Sequence, residues 1–420
     1  MRKPSVSSAG KHKTRSASAS SHPSPDHRMK QLVAERNRKM AASAHAYVRG
    51  STVRFYEWLE ASSRPTFPDG PDIWICGDCH VGNLGPVASA GGNLAIQIRD
   101  LDQTVIGNPA HDMVRLGLSL AMAARGSALP GVTTARMIEK MVEGYESAFE
   151  PDAPDQPHGA LGNEMPKFVK LVMREAAGRS WKHLAEERIE GIEPVIPLGK
   201  RFWPLTDEER GGVEALFADD RLQRLTRSLR SKENDVSARV LDAAYWRKGC
   251  SSLGRLRIAV LIALGAGKDE RHCLIDIKEA IAPAAPRSKI AEIPRGHAER
   301  VVTGARNLSP FLGGRMETAS LLGKSVFIRE LLPQDLKLEI DKVESEEMMA
   351  LAEFLARVVG QSHARQLSSS DCKTWLTDLQ RDRSGSLDAP SWLWNSVVDL
   401  VGVHEAAYLQ HCRRYALGSS

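Results

Sequence analysis

The sequence lacks several features that would each assign it to a class of protein. It has no run of about 18 apolar residues, so no membrane-spanning helix is predicted. Only six of its 420 residues are cysteine, which argues against a disulfide framework and favours a reducing compartment, the cytoplasm. The first 28 residues contain no apolar stretch of the kind that a secretory signal needs.

Charge is also nearly balanced along most of the chain. Much of the net charge of +5 lies in the first 31 residues, so the remainder gives no reason to expect a nucleic-acid partner. Residues 1–28 are basic and rich in serine and are predicted to form a disordered tail. A transit peptide shares this acid-poor composition and is the alternative for the segment.

The hydrophobic content of 42% lets a chain of this length form two lobes. Periodicity indicates helices in most of residues 29–244, interrupted by two short β-type runs near residues 72–78 and 93–102. Four β-type runs surround a helix at 297–308, and the first two of them read as an antiparallel hairpin. We therefore expect an α+β fold with a helical lobe at 29–244, a strand-rich nucleotide-binding lobe at 245–340 and C-terminal helices at 341–420 that return to the large lobe.

Residues 75–83, ICGDCHVGN, allow three interpretations. C-x-x-C-H is the spacing that attaches a c-type haem, but the chain shows no export signal and this scheme uses none of the neighbouring acidic residues. C-x-x-C is the spacing of a dithiol redox site, but Asp78 between the thiols opposes thiolate formation. A zinc site would need two further ligands at short spacing, and none is nearby. The third interpretation is a loop for phosphoryl transfer.

Phosphoryl transfer needs a carboxylate that accepts the proton of the attacking hydroxyl, and oxygen ligands that hold Mg²⁺ against the phosphates. Asp78 is the predicted base and Asn83 a predicted metal ligand, with His80 ordering the loop or contacting phosphate. Asp100 and Asp102 follow the next β-type run and are the other predicted metal ligands. The alternative is that Asp78 and Asn83 only cap a turn, since both are common turn residues.

The phosphates of a nucleotide also need a cation and backbone donors. Lys278 is predicted to supply the cation near the end of a β-type run, and Gly249 and Gly254 to form a phosphate loop. The sequence GAGKDE around Lys268 is not a Walker A motif. Glu299 is predicted to form an ion pair with Lys278, and Glu279 and Glu292 are its competitors. The remaining candidates for binding the cofactor or substrate are charged side chains: Glu330, Arg49, Arg300, Arg306 and Arg329.

DLDQTVIGNPAHDM, residues 100–113, resembles the second signature of kinases similar to aminoglycoside phosphotransferases. The resemblance makes Asp100 the metal-binding aspartate. It also implies that Asp112 braces the catalytic loop through backbone hydrogen bonds. Two signatures in this order, about twenty residues apart, favour the phosphotransfer interpretation of residues 75–83.

Stretches such as RNRKMAASAHAYVRGS, LIDIKEA, VFIRELLPQDLK and GQSHARQL are similar to an uncharacterised bacterial family, domain of unknown function 2252, related to protein kinases. The resemblance covers roughly residues 35–370 and implies a kinase-like two-lobed fold, ATP and Mg²⁺ as cofactors, and an unidentified hydroxyl acceptor. Asp78 precedes Lys278, so the lobes would be circularly permuted. A pseudokinase that binds nucleotide or a partner without catalysis is the alternative.

Overall fold

The structure is a computed structural model. It describes residues 25–61, 67–126, 131–150, 165–179, 195–219, 238–250, 252–265, 270–286, 292–336, 345–381 and 389–415, with the single residues Pro23, Leu222, Leu338, Val343 and Arg383. Its helices are α1 (Pro25–Ala41), α2 (Ala44–Gly50), α3 (Thr52–Glu60), α4 (Ala110–Gly126), α5 (Gly131–Glu146), α6 (Lys167–Gly178), α7 (Asp207–Phe217), α8 (His297–Leu308), α9 (Pro310–Gly313), α10 (Ser345–Ala364), α11 (Ser369–Gln380) and α12 (Ser391–Tyr415). Its strands are β1 (Ile73–Ile75), β2 (Leu84–Ala88), β3 (Leu94–Ile98), β4 (Val105–Gly107), β5 (Phe202–Trp203), β6 (Ala238–Trp246), β7 (Arg257–Leu264), β8 (Arg271–Glu279), β9 (Met316–Leu321) and β10 (Lys324–Leu331).

A six-stranded antiparallel sheet has the order β5-β6-β7-β8-β10-β9. Its central strand β7 is buried along its whole length, as expected for a run of Ile, Val, Leu and Ala between two neighbours. Alternate side chains of β7 and β8, such as Ile258 and Ile275, form a core with Val213 and Phe217 of α7. The other side of the sheet carries charged side chains.

The helical part is built around α4, of which nearly every residue is buried. Helices α5 and α10 pack on each other, and α12 packs against α4, α2 and α1. Two small antiparallel pairs lie beside this core: β1 pairs with β4, and β2 pairs with β3. The loops that leave β1 and β3 therefore start from strands that are fixed against a rigid helical layer.

The mixed α+β class is confirmed, as are the β7–β8 hairpin and helix 297–308. The expectation that helices continue to the end of the segment 29–244 is wrong, because residues 238–246 form β6. Three of its nine residues are alanine, which favours helix, and the segment becomes a strand by pairing with β7.

Residues 1–22 of the predicted tail lie outside the described residues, as does Lys268, and α1 already begins at Pro25. The division into lobes at residues 28, 244 and 340 stays a prediction. Within the described ranges, no helix is both long and apolar enough to cross a membrane.

Candidate functional site

A cavity of about 1030 Å³ separates the charged side of the six-stranded sheet from the loops that follow β1 and β3. The loops contribute Asp78, His80, Asn83, Asp100 and Asp102 to its lining. Arginine and lysine side chains supply much of the rest: Arg49, Arg99, Arg179, Arg201, Arg247, Lys248, Arg257 and Arg329. The surplus of cations over carboxylates makes the cavity suited to an anionic ligand.

The loop after β1 is fixed through its backbone. Gly77 has φ +72°, and a Cβ at this position would overlap the carbonyl oxygen of Gln103. The Asp112 carboxylate accepts hydrogen bonds from the backbone N–H groups of Cys76 (2.7 Å) and Gly77 (3.0 Å), and lies 3.3 Å from Nε2 of His363. These are the backbone contacts that a bracing role for Asp112 requires.

Asp78 is buried at the end of this loop. Its Oδ1 accepts a hydrogen bond from Arg115 Nε at 2.9 Å and lies 2.8 Å from Nη2 of the same guanidinium, while Oδ2 lies 4.0 Å from His80 Nε2. Burial raises the pKa of Asp78, and the Arg115 charge opposes but does not cancel that effect. Arg115 holds one oxygen of this carboxylate. The raised pKa suits the other oxygen to accepting a proton.

Sequence reasoning missed Arg115. The signal was present, because Arg115 is a cation inside the apolar run of α4 and such a residue needs a buried partner.

Asn83 is oriented by the same loop. Its Nδ2 donates to the carbonyl oxygen of Asp78 at 3.0 Å, which leaves Oδ1 as the atom available to a cation. His80 is also buried, and burial together with the nearby charge of Arg49 lowers its pKa well below the ordinary value. The imidazole is therefore neutral at physiological pH.

The structure brings Lys278 of β8 to the two aspartates after β3. Lys278 Nζ lies 3.2 Å from Asp100 Oδ1 and 2.5 Å from Asp102 Oδ2. Burial raises the pKa of Asp100, but the charges of Lys278, Arg329 and Arg257 and a hydrogen bond with Asp102 together hold that pKa well below its usual range. Burial and the charge of Asp100 raise the pKa of Asp102 against the effect of Lys278. The Lys278 ammonium thus pairs with both carboxylates, and Asp102 has the higher pKa of the two.

Asp100 and Asn83 fit the requirements of Mg²⁺ better than Asp102 does. The side chain of Asp100 keeps 46% of its surface open to the cavity, whereas that of Asp102 is 12% exposed and bonded to Lys278. Within the described ranges, no group of three or more His, Cys, Asp or Glu side chains has the geometry of a metal site. One carboxylate and one amide oxygen still suit Mg²⁺, since that ion commonly takes further ligands from water and substrate phosphates.

The two predicted loop glycines differ in their surroundings. The turn between β6 and β7 contains Gly249 and Gly254, both with φ near +100°. Gly249 lines the cavity, together with Cys250 and Ser252. A Cβ at Gly254 would instead meet Met29 of α1, so this glycine serves contact with a helix.

A charged cluster on the sheet was not expected from the sequence. Arg257 of β7 donates to both oxygens of Asp276 at 2.8 and 2.5 Å, and Arg329 of β10 donates to Asp276 Oδ2 at 3.0 Å. Burial raises the pKa of Asp276, but the two guanidinium groups together lower it below the ordinary range. Asp276 and Lys278 are two residues apart on a strand, so they share one face, and that spacing was the available signal.

Several predicted residues do not reach the lysine or the cavity. Glu299 and Arg306 are exposed on α8, and Glu292 is exposed before it. Glu279 pairs with Lys324 at 2.7 Å. The expected ion pair between Lys278 and a glutamate is therefore replaced by contacts with Asp100 and Asp102.

Arg300 and Glu330 are fully buried. Arg300 does not line the cavity but donates to the backbone oxygens of Thr104, Asp102 and Ile281, and so ties α8 to the loop after β3. Glu330 lies on β10, where its backbone oxygen accepts from Arg315 at 2.7 Å. A direct contact of Glu330 with a cofactor stays a prediction.

The cysteines of the C-x-x-C segment are buried, free thiols. A hydrogen bond with Cys79 and burial raise the pKa of Cys76 well above its ordinary value, and the pKa of Cys79 is raised as well. Raised pKa values disfavour the thiolate that redox exchange requires.

Comparison with known proteins identifies the family. No curated protein and no solved structure matches the chain. A family model for uncharacterised proteins conserved in bacteria, domain of unknown function 2252, matches residues 28–414. This match covers the loop at residues 75–83, the sheet and the C-terminal helices, and the chain therefore belongs to that bacterial family.

Proposed function

We propose that this protein is a kinase-like phosphotransferase that uses ATP and Mg²⁺ to phosphorylate a hydroxyl group of a small molecule or a protein. One observation carries the proposal. Lys278 Nζ lies 3.2 Å from Asp100, although the two residues are 178 positions apart. Lys278 itself is buried behind Asp100, which lines the same cavity as Asp78 and Asn83. A phosphate-binding cation, a metal-binding carboxylate and a proton acceptor are the groups that phosphoryl transfer needs together.

The order of elements in the sheet supports a kinase-like small lobe. In protein kinases the lysine lies on the third strand, a glycine-containing loop covers the phosphates, and a helix follows the lysine strand. Here Lys278 lies on the third long strand, the turn with Gly249 joins the first two, and α8 follows. Because Asp78 precedes this lobe in the sequence, the proposal includes a circular permutation.

The proposed reaction begins with Asp78. Its Oδ2 takes the proton of the acceptor hydroxyl while Arg115 holds Oδ1 and fixes the carboxylate. The hydroxyl oxygen forms a bond to the γ-phosphorus, the bond from that phosphorus to the β,γ-bridging oxygen breaks, and ADP leaves. Lys278 then pairs with phosphate oxygens in place of part of its contact with Asp100.

Asn83 Oδ1 and Asp100 would hold Mg²⁺, which, when bound, neutralises charge on the transferred phosphate. Asp102 fits better as a partner that keeps Lys278 in position, since it lies 2.5 Å from the ammonium.

A nucleotide-binding protein without catalysis is the second candidate. Two observations favour it: Glu299 is exposed instead of pairing with Lys278, and only one glycine of the predicted phosphate loop lines the cavity. Turnover of ATP separates the two candidates, since both predict binding.

Thermal unfolding with and without ATP and MgCl₂ tests the proposal. A ligand at 100 times its dissociation constant stabilises a protein by about 2.7 kcal/mol, so the wild type should unfold at a clearly higher temperature with both additions. Asp100→Asn should remove the part of the shift that depends on Mg²⁺, and Lys278→Ala should reduce the part due to nucleotide.

Exposed residues outside the cavity provide matched controls: Glu214→Gln for the carboxylate and Lys324→Ala for the amine. Both controls should keep the wild-type shift. A wild type that shows no response to nucleotide contradicts both candidates, whereas a response without phosphorylation of any acceptor in a broad panel supports the binding protein.

A further inference from the structure

Arg49 of α2 lies against the loop that joins Asp78 to Asn83. A Cβ at Gly82 would be 3.0 Å from Arg49 Nε and 3.1 Å from its Cζ, so the guanidinium packs directly on this glycine. Arg49 and Gly82 both line the cavity. Because Gly82 has no side chain, the Arg49 guanidinium fits against the loop that carries Asp78, the proposed proton acceptor.

Among the residues that the structure describes, Arg49 makes no ion pair, and its buried Nε has no hydrogen-bond partner. Arg115, Arg257 and Arg329 of the same region all have carboxylate partners. A buried charged donor without an acceptor is costly, and a ligand that brings an anion would supply the missing acceptor.

His80 provides a second donor on the same side. It is 4% exposed, lines the cavity, and its Nδ1 has no hydrogen-bond partner within the described part of the chain. A neutral imidazole carries one N–H, which either ring nitrogen can hold. An anion bound by Arg49 would offer an oxygen that accepts a hydrogen bond from this N–H.

The carboxylates of the cavity are mostly engaged already. Asp78 is bonded to Arg115, Asp100 and Asp102 share Lys278, and Asp335 accepts from Arg315 at 3.1 Å. Glu175, exposed on α6, is the exception. Few carboxylates remain to attract a cationic acceptor, whereas a free guanidinium group is present.

We propose that the acceptor is a small hydroxyl compound with a phosphate or carboxylate group, which Arg49 binds beside Asp78 with His80 as the second donor. This inference rests on the proposed phosphotransferase function. It defines the substrate class by charge: the transferred phosphate goes to a hydroxyl of a molecule that is already an anion.

Isothermal titration of the protein saturated with Mg²⁺ and the non-hydrolysable β,γ-imido analogue of ATP tests the proposal. Glycerol 3-phosphate, glycerate and glycerol serve as probes, since they differ in the anionic group but all carry hydroxyls. Because the analogue fills the γ-phosphate position, a probe can bind only beyond it. We expect at least one of the two anions to bind and glycerol to bind at least about tenfold more weakly.

Arg49→Gln should weaken binding of the anion by about tenfold or more, and Arg49→Lys, which keeps the charge, should recover part of the loss. Arg38→Gln is the matched control, since Arg38 is exposed on α1 and does not line the cavity. This control should stay within about twofold of the wild type, a change of less than about 0.4 kcal/mol.

Three outcomes overturn the proposal: no anion binds, glycerol binds as tightly as the anions, or Arg49→Gln weakens binding of the ATP analogue and not binding of the anion. The last outcome assigns Arg49 to the donor phosphates. Failure of the proposed function looks different, because the analogue itself then does not bind to the wild type. Titration of glycerol 3-phosphate without nucleotide would in that case show whether the Arg49 anion site exists by itself.

Discussion

The backbone of the loop wall and the charged side chains of the sheet wall are held in place by different means. On the loop wall, Asp112 fixes the chain through the backbone N–H groups of Cys76 and Gly77. On the sheet wall, Asp276 is fixed through the side chains of Arg257 and Arg329, which come from neighbouring strands. The loop wall thus owes its shape to hydrogen bonds made by the main chain, and the sheet wall to a balance of buried charges.

The largest effect is expected from Asp276→Asn on the sheet wall. The change leaves two buried or partly buried guanidinium groups without their counter-ion, and breaking a buried ion pair costs about 3–5 kcal/mol. Urea unfolding should therefore show a loss of that size in the free energy of unfolding. Glu279→Gln is the control, since its partner Lys324 is exposed and such a pair contributes less than about 1 kcal/mol. Equal losses in the two variants would show that charge balance does not hold this wall.

The second prediction concerns stability at acidic pH, which the helical part and the sheet lose in different pH ranges. His404 of α12 is buried, and burial together with the charge of Arg115 lowers its pKa to about 4. Unfolded histidine titrates near pH 6.5, so between pH 6.5 and 4 the unfolded chain binds more protons and the stability falls as the pH falls.

The expected contribution of His404 is about 3 kcal/mol over this range, and His404→Gln should remove it. His80, whose pKa is lowered in the same direction, remains in the variant as a background. Asp276 acts in a different range, because its lowered pKa makes stability fall only below about pH 4, where the unfolded carboxyl starts to bind protons. Urea unfolding at several pH values measures both contributions. If the free energy of unfolding of His404→Gln falls between pH 6.5 and 4 as steeply as that of the wild type, the effect does not come from His404.

The smallest effect is expected from Asp112→Asn on the loop wall. The amide keeps one acceptor oxygen for the backbone N–H groups of Cys76 and Gly77 but turns the other into a donor. One buried N–H is then unsatisfied, which costs about 1–3 kcal/mol. Asp371→Asn at the exposed start of α11 is the control, with an expected loss near 1 kcal/mol or less. A loss as large as that of Asp276→Asn would remove the distinction between the walls.

The sequence predicts the loop wall better than the sheet wall. Asn83 and Asp78 are five residues apart, so the spacing of turn residues was enough to relate them. Helix 297–308 and the β7–β8 hairpin were predictable for the same reason, since periodicity is a local signal. Asp112 lies 35 residues from Gly77, and its bracing role was predicted from the resemblance to a kinase signature.

The remaining features depend on partners that are distant in the sequence. The choice of Asp102 over Glu299 as a partner of Lys278 is set by which loop docks on β8, and no periodic pattern encodes that choice. Strand β6 mixes alanine with valine, tyrosine and tryptophan, and it takes its conformation from pairing with β7. Arg257 and Arg329 become related only when β8 lies between them.

The separation of 178 residues between Asp100 and Lys278 has a consequence during synthesis. At about 5–20 residues per second, the ribosome makes Lys278 roughly 10–40 s after Asp100. The nascent chain therefore exposes its acidic loop for a period long compared with the folding of a helix, before the amine that neutralises it exists. The contact between Lys278 and Asp100 can therefore form only late in synthesis, when the sheet packs against the loop.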